Sequence, residues 1–127
     1  MQRKILPLVA ATAVALVAGT ASAARDAPAK AGPVRVDLDE WTLGFETLEL
    51  DGGKVSFAIA NRGGAPHALT IEGTAGGETI RINSPILRSG QSATLEVDLP
   101  PGEYVAYCPV GGHRGLGMEG RILVRGS

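Results

Sequence analysis

The chain has 127 residues, with 18 glycines, 8 prolines, a single cysteine and a formal net charge of −1 at pH 7. Its charges are spread without a basic run, which excludes the electrostatic footprint of a nucleic-acid-binding protein. One cysteine excludes an internal disulfide, so Cys108 is an inert buried residue, a site of intermolecular pairing or a ligand.

Arg3 and Lys4 open the chain, an almost wholly apolar run follows from Ile5 to Gly19, and Ala21-Ser22-Ala23 supplies a small-x-small pattern. That order predicts a secretory signal peptide over residues 1–23. The competing reading is an uncleaved anchor, but the run is short of the roughly 20 residues that a membrane-spanning helix needs. Cleavage leaves 10 Lys plus Arg against 13 Asp plus Glu, a net charge of about −3 on a chain of single-domain length. Residues 24–33, with Pro28 and Pro33 among Ala, Lys and Gly, read as a flexible leader. The folded domain is expected over 34–127.

Short alternating runs then recur. Val34, Val36 and Leu38 alternate with Arg35 and Asp37, and Val55, Phe57 and Ile59 follow the Asp51-Gly52-Gly53 turn. A strand is predicted over 67–72, where Leu69 and Ile71 alternate with Thr70 and Glu72; Ile80 and Ile82 flank Arg81. Leu95, Val97 and Leu99 precede the Pro100-Pro101-Gly102 break, a strand ends at Tyr107-Cys108, and Ile122 and Val124 close the series. Period two puts one set of side chains in a core and the other in water. Seven or eight such strands in about 100 residues predict an all-β fold, an antiparallel Greek-key β-sandwich.

The chemistry gathers near the C-terminus. Cys108, His113 and Met118 are separated by four residues each, within a glycine-rich stretch unsuited to helix or strand. Such a loop can curl until all three side chains converge. The other histidine, His67, follows Gly63-Gly64-Ala65-Pro66. Thiolate, two imidazoles and a weak thioether form the donor set of a blue-copper electron-transfer site. Zinc accepts the first three, but a thioether is a poor fourth ligand for it. Taken singly, His67 reads as a surface histidine, Cys108 as a buried thiol and Met118 as a gap-filler. Together they use the only cysteine, both histidines and the only methionine beyond Met1.

Residues 34–124, with the Cys-x4-His-x4-Met spacing and the strand Gly102 to Cys108, resemble the cupredoxins, the plastocyanin–azurin type of blue copper protein. The spacing is closer to rusticyanin- and sulfocyanin-like members than to plastocyanin. The resemblance implies one copper ion cycling between Cu(I) and Cu(II), held by His67, Cys108, His113 and Met118. It implies a monomeric periplasmic or otherwise extracytoplasmic electron carrier and no enzymatic activity. Its partners are transient redox proteins, such as a c-type cytochrome, an oxidase or a copper enzyme, with no nucleic acid and no membrane after signal removal. The His113 edge is the expected portal, ringed by Ala65, Pro66, Pro109, Gly111, Gly112 and Leu116. The competing function is a copper carrier or storage protein using the same ligands. One departure is Ala68, where many cupredoxins place a polar side chain that ties the two ligand loops together.

Other residues receive plainer readings. Trp41 is read as a packing residue, being far from the ligands in sequence. Alternation sends Tyr104 into the core with Ala106 and Cys108, and Tyr107 outward beside the thiolate, as an ordinary strand tyrosine or a second electron exit. Arg114 and Glu119 are loop charges or partner contacts.

Overall fold

The computed structural model describes residues 32–126, so the expected signal segment and most of the leader lie outside the described residues. Eight strands run through the described residues: β1 Val34–Leu38, β2 Thr47–Asp51, β3 Gly53–Asn61, β4 Thr70–Ala75, β5 Glu78–Asn83, β6 Ser92–Leu99, β7 Gly102–Tyr107 and β8 Glu119–Arg125. A 3-10 turn covers Arg114–Leu116. The expected all-β sandwich is therefore the observed fold.

Two sheets form it, one in the order β1-β3-β6 and one in the order β2-β8-β7-β4-β5. Most neighbours are antiparallel, but β1 runs parallel to β3 and β2 parallel to β8. Both sheets are thus mixed, a feature that alternation along one strand carries no information about. Strand β2 was absent from the predicted series. It alternates Leu48 and Leu50 with Thr47, Glu49 and Asp51, but its apolar set is only half-buried, so the pattern is short and weak.

The core lies between the sheets. Val36, Leu38, Phe57, Ile59 and Leu99 face Ile71, Tyr104, Ala106 and Ile122, all at or below 1% exposure. Full burial of a large aliphatic or aromatic side chain contributes about 1.5–3 kcal/mol, so these inward rows set the register of every strand. Gly73 marks where the backbones of β4 and β7 come closest. A Cβ there would stand 2.6 Å from the Tyr104 ring and 2.8 Å from the Glu103 carbonyl oxygen. Only glycine leaves that space in a paired strand.

Strand direction decides what meets what at the end of the sandwich. The parallel register pairs Leu38 with Asn61, so the residues after β1 emerge beside those after β3. The second group leads to His67.

Candidate metal centre

His67 lies ahead of the strand and not within it, in contrast to the predicted span 67–72; β4 begins three residues later, at Thr70. It is held by a two-way bridge to Leu87, His67 N–H donating to Leu87 O at 3.0 Å and Leu87 N–H returning to His67 O at 2.8 Å. Asn61 braces the approach. Its side-chain amide donates to Ala65 O (2.8 Å) and Leu87 O (2.9 Å), and its oxygen accepts from Gly63 N–H (2.8 Å). A buried amide with these partners fixes the loop, since leaving any of them unpaired would cost about 1–3 kcal/mol.

The second ligand loop closes on itself. Cys108 N–H donates to Met118 O at 3.1 Å, joining its two ends. Inside, His113 N–H reaches Val110 O at 3.0 Å, Leu116 N–H reaches His113 O at 3.0 Å and Met118 N–H reaches His113 O at 3.3 Å. Gly112 (φ 79°) and Gly117 (φ 123°) make the reversals in backbone that L side chains rarely adopt. The loop curls as expected, bringing Cys108 and His113 together and tying Met118 to both through its backbone.

These two loops bring His67, Cys108 and His113 together, one donor atom from each lying within 4.8 Å of the others. Cys108 Sγ stands 3.6 Å from His113 Nδ1. Ligand atoms sharing one ion at ordinary bond lengths of about 2.0–2.3 Å would sit up to about 4 Å apart, so the cluster needs only a small contraction. Cys108 and His67 are fully buried, and His113 is partly open. Met118 is also fully buried, and its backbone bonds to both Cys108 and His113.

His67 Nδ1 supplies an independent sign of a missing partner. Among the described residues it is a buried side-chain nitrogen without a hydrogen bond. Buried polar groups are rarely left so. An unpartnered ring nitrogen on a histidine grouped with a thiol and a second imidazole suits a metal donor.

A third segment, residues 39–46, crosses this end and was not foreseen. Glu40 accepts from Gly64 N–H at 2.8 Å and Ala65 N–H at 3.3 Å, and its Oε2 lies 2.5 Å from His67 Nε2. The Gly64 N–H, then the His67 ring, hold the Glu40 carboxyl below its ordinary value. Trp41 stands edge-on to both histidines, with ring centroids 6.0 Å from His67 and 4.8 Å from His113. Glu46 O accepts from Arg121 N–H at 2.9 Å, and a Cβ on Gly117 would touch Trp41 O at 3.1 Å. The segment therefore ties both ligand loops, the task that a side chain at Ala68 would otherwise share. Trp41 does pack, but on the ligands themselves. No sequence spacing announces this; only the parallel β1–β3 pairing places residue 40 beside residue 64.

On the opposite face of β7, Tyr107 is buried instead of free. Arg114 lies 3.9 Å above its ring, and its hydroxyl donates to Glu72 at 2.8 Å, which holds the phenol above its ordinary value. Arg114 also pairs with Glu119, and Arg81 with Glu72. The charges beside the ligands thus form an exposed lattice over Tyr107. Tyr104 faces the core with Ala106 and Cys108, as alternation requires.

No family model matches the chain. It is 36% identical over 67 residues to a plastocyanin of Synechococcus sp. (strain JA-2-3B'a(2-13)), a match covering 48% of this chain and 48% of that protein. The chain thus matches about half the length of that curated relative. Among solved structures, dithionite-reduced auracyanin of the photosynthetic bacterium Roseiflexus castenholzii superposes with a TM-score of 0.64 at 18% identity, over 76% of this chain and 98% of that one. Auracyanin A, a "blue" copper protein of the green thermophilic photosynthetic bacterium Chloroflexus aurantiacus, gives 0.61 at 18% identity, over 74% and 100%. Identities this low speak for the fold alone. The chain shares the fold of these structures, and its His67, Cys108 and His113 gather at one end of the sandwich.

Proposed function

We propose that the protein is an exported type 1 copper protein that shuttles single electrons, and that His67, Cys108, His113 and Met118 would hold the copper. The observation that carries this reading is the convergence of a thiol and two imidazoles within 4.8 Å, with an unpartnered His67 Nδ1 among them. The donor chemistry fits copper: a soft thiolate and imidazoles serve both oxidation states, and a thioether suits a trigonal site with a long axial contact. Copper held there supplies a one-electron Cu(I)/Cu(II) couple.

The chain's own residues do the rest. Cys108 and His67, fully buried, keep water from the donors. The contacts of residues 39–46, the Asn61 brace and the closed 108–118 loop hold the donors in one arrangement for both oxidation states, which keeps reorganisation small. His113 alone of the cluster is partly open, beside exposed Leu116 and Trp41. Its edge is the natural portal for brief encounters with a redox partner, of the kind that uses small interfaces. A copper carrier needs exchangeable donors, and the burial of two of these three opposes that alternative.

The test compares two substitutions in copper-loaded protein without residues 1–23. Cys108→Ser removes the short covalent bond and is expected to abolish the intense visible band. Met118→Leu is expected to keep copper and most of the colour while raising the reduction potential, since loss of an axial donor destabilises Cu(II) more than Cu(I). If both variants keep the band, or both lose it, the site is not of the blue-copper type.

A further inference from the structure

His67 has two ring nitrogens with different surroundings. Nδ1 is buried without a partner, and Nε2 meets the Glu40 carboxylate, whose side chain is 30% exposed. An ionised carboxylate only accepts. The contact therefore writes the ring as the Nε2–H tautomer and leaves the Nδ1 lone pair free. Glu40 is itself fixed, by the N–H groups of Gly64 and Ala65. The room for it comes from Gly63, where an added Cβ would fall on the carboxylate, 2.7 Å from its Cδ. A carboxylate with three donors, seated on the outer nitrogen of a buried histidine, is more than a loop tie.

We propose that Glu40 is an anionic positioning residue for the metal ligand His67: it holds Nε2–H, aims Nδ1 inward and biases the site toward Cu(II). The inference rests on the copper reading above. Its physical basis is that a carboxylate behind a ligating imidazole fixes the tautomer and raises the basicity of the donor nitrogen. The added negative charge stabilises the more highly charged ion, and it acts across a single imidazole ring, well within a Debye length. Cu(II) gains one electron on reduction while Glu40 keeps its charge, so the carboxylate favours the oxidised form without any proton transfer.

Two substitutions test it. Glu40→Gln keeps an oxygen that can accept from Nε2–H and removes the charge. Gly63→Ala keeps the charge and pushes the carboxylate off the ring. Both should retain the visible band. For Glu40→Gln the affinity for Cu(II), measured by chelator competition, should fall by about 10- to 100-fold, the usual cost of losing a partner behind a ligand. Cu(I) affinity should fall less, so the reduction potential rises. Gly63→Ala should move both quantities in the same direction by a smaller amount. In the diamagnetic Cu(I) form, the His67 Nε2–H should appear as a protected, downfield proton resonance, and it should lose protection in Gly63→Ala. A Cu(II)-to-Cu(I) affinity ratio within twofold of the parent's in both variants would reduce Glu40 to a loop tie, even if thermal unfolding of the metal-free protein drops. A parent protein without the visible band would overturn the copper reading itself, a failure separate from that of Glu40.

Discussion

Tyr104 shows how one side chain joins core and turn. Its ring is 1% exposed, and its hydroxyl donates to Pro100 O at 2.6 Å, across the break between β6 and β7. Tyr104→Phe leaves that carbonyl without its partner and should destabilise the protein by about 1–2 kcal/mol at neutral pH in denaturant unfolding. Burial holds the phenol above its ordinary value. The folded state therefore keeps this proton more tightly than the unfolded chain does. The resulting stability is fully present below about pH 10 and is lost as pH rises through the raised folded value. The gap between parent and variant should accordingly narrow when unfolding is repeated above about pH 10; a gap that is constant with pH would place the Tyr104 hydroxyl in contact with solvent.

At the scale of elements, β4 and β7 carry the connection from core to cluster, since β7 ends one residue before Cys108 and β4 begins three after His67. Their approach at Gly73 allows little adjustment, because one of the atoms a Cβ would meet is the Glu103 backbone oxygen. Gly73→Ala should cost about 1–3 kcal/mol through overpacking. The β4–β7 register, pairing Thr70 with Tyr107, should loosen with it. Amide exchange along both strands is the measurement, and protection equal to the parent's would refute so close an approach. The same pairing explains why Tyr107 is covered: it lies beside Glu72 and under Arg114, so an electron path through it has no bare surface at its far end.

For the molecule as a whole, the chain's own contacts hold the end of the sandwich together. The ligand loops are held by Asn61, by the His67–Leu87 bridge and by the Cys108–Met118 backbone bond, all made by the chain itself. Metal-free protein should therefore keep its β-rich circular dichroism. Copper binding to this preformed site should then add stability by mass action, about 4 kcal/mol at a thousandfold excess of free ion over the dissociation constant. Thermal scans with copper and with chelator measure this. Equal midpoints would mean that the folded cluster does not hold the ion.

Short-range patterns along the chain account for the inward rows of the strands and for the candidate donor set, for a local reason in each case. Alternation is written residue by residue in Val34–Leu38 and Val55–Ile59, and Cys108, His113 and Met118 share one glycine-rich loop whose reach is short. Tertiary structure alone decided which strands run parallel, and with that what stands behind His67. Glu40 and Gly64 are far apart along the chain, and nothing in either neighbourhood marks them as partners. They meet because β1 lies alongside β3 in the same direction, a choice made by how two apolar faces pack across the sandwich. Trp41 came to rest on the histidines for the same reason, as strand period fixes which way a side chain points but not which strand lies beside it.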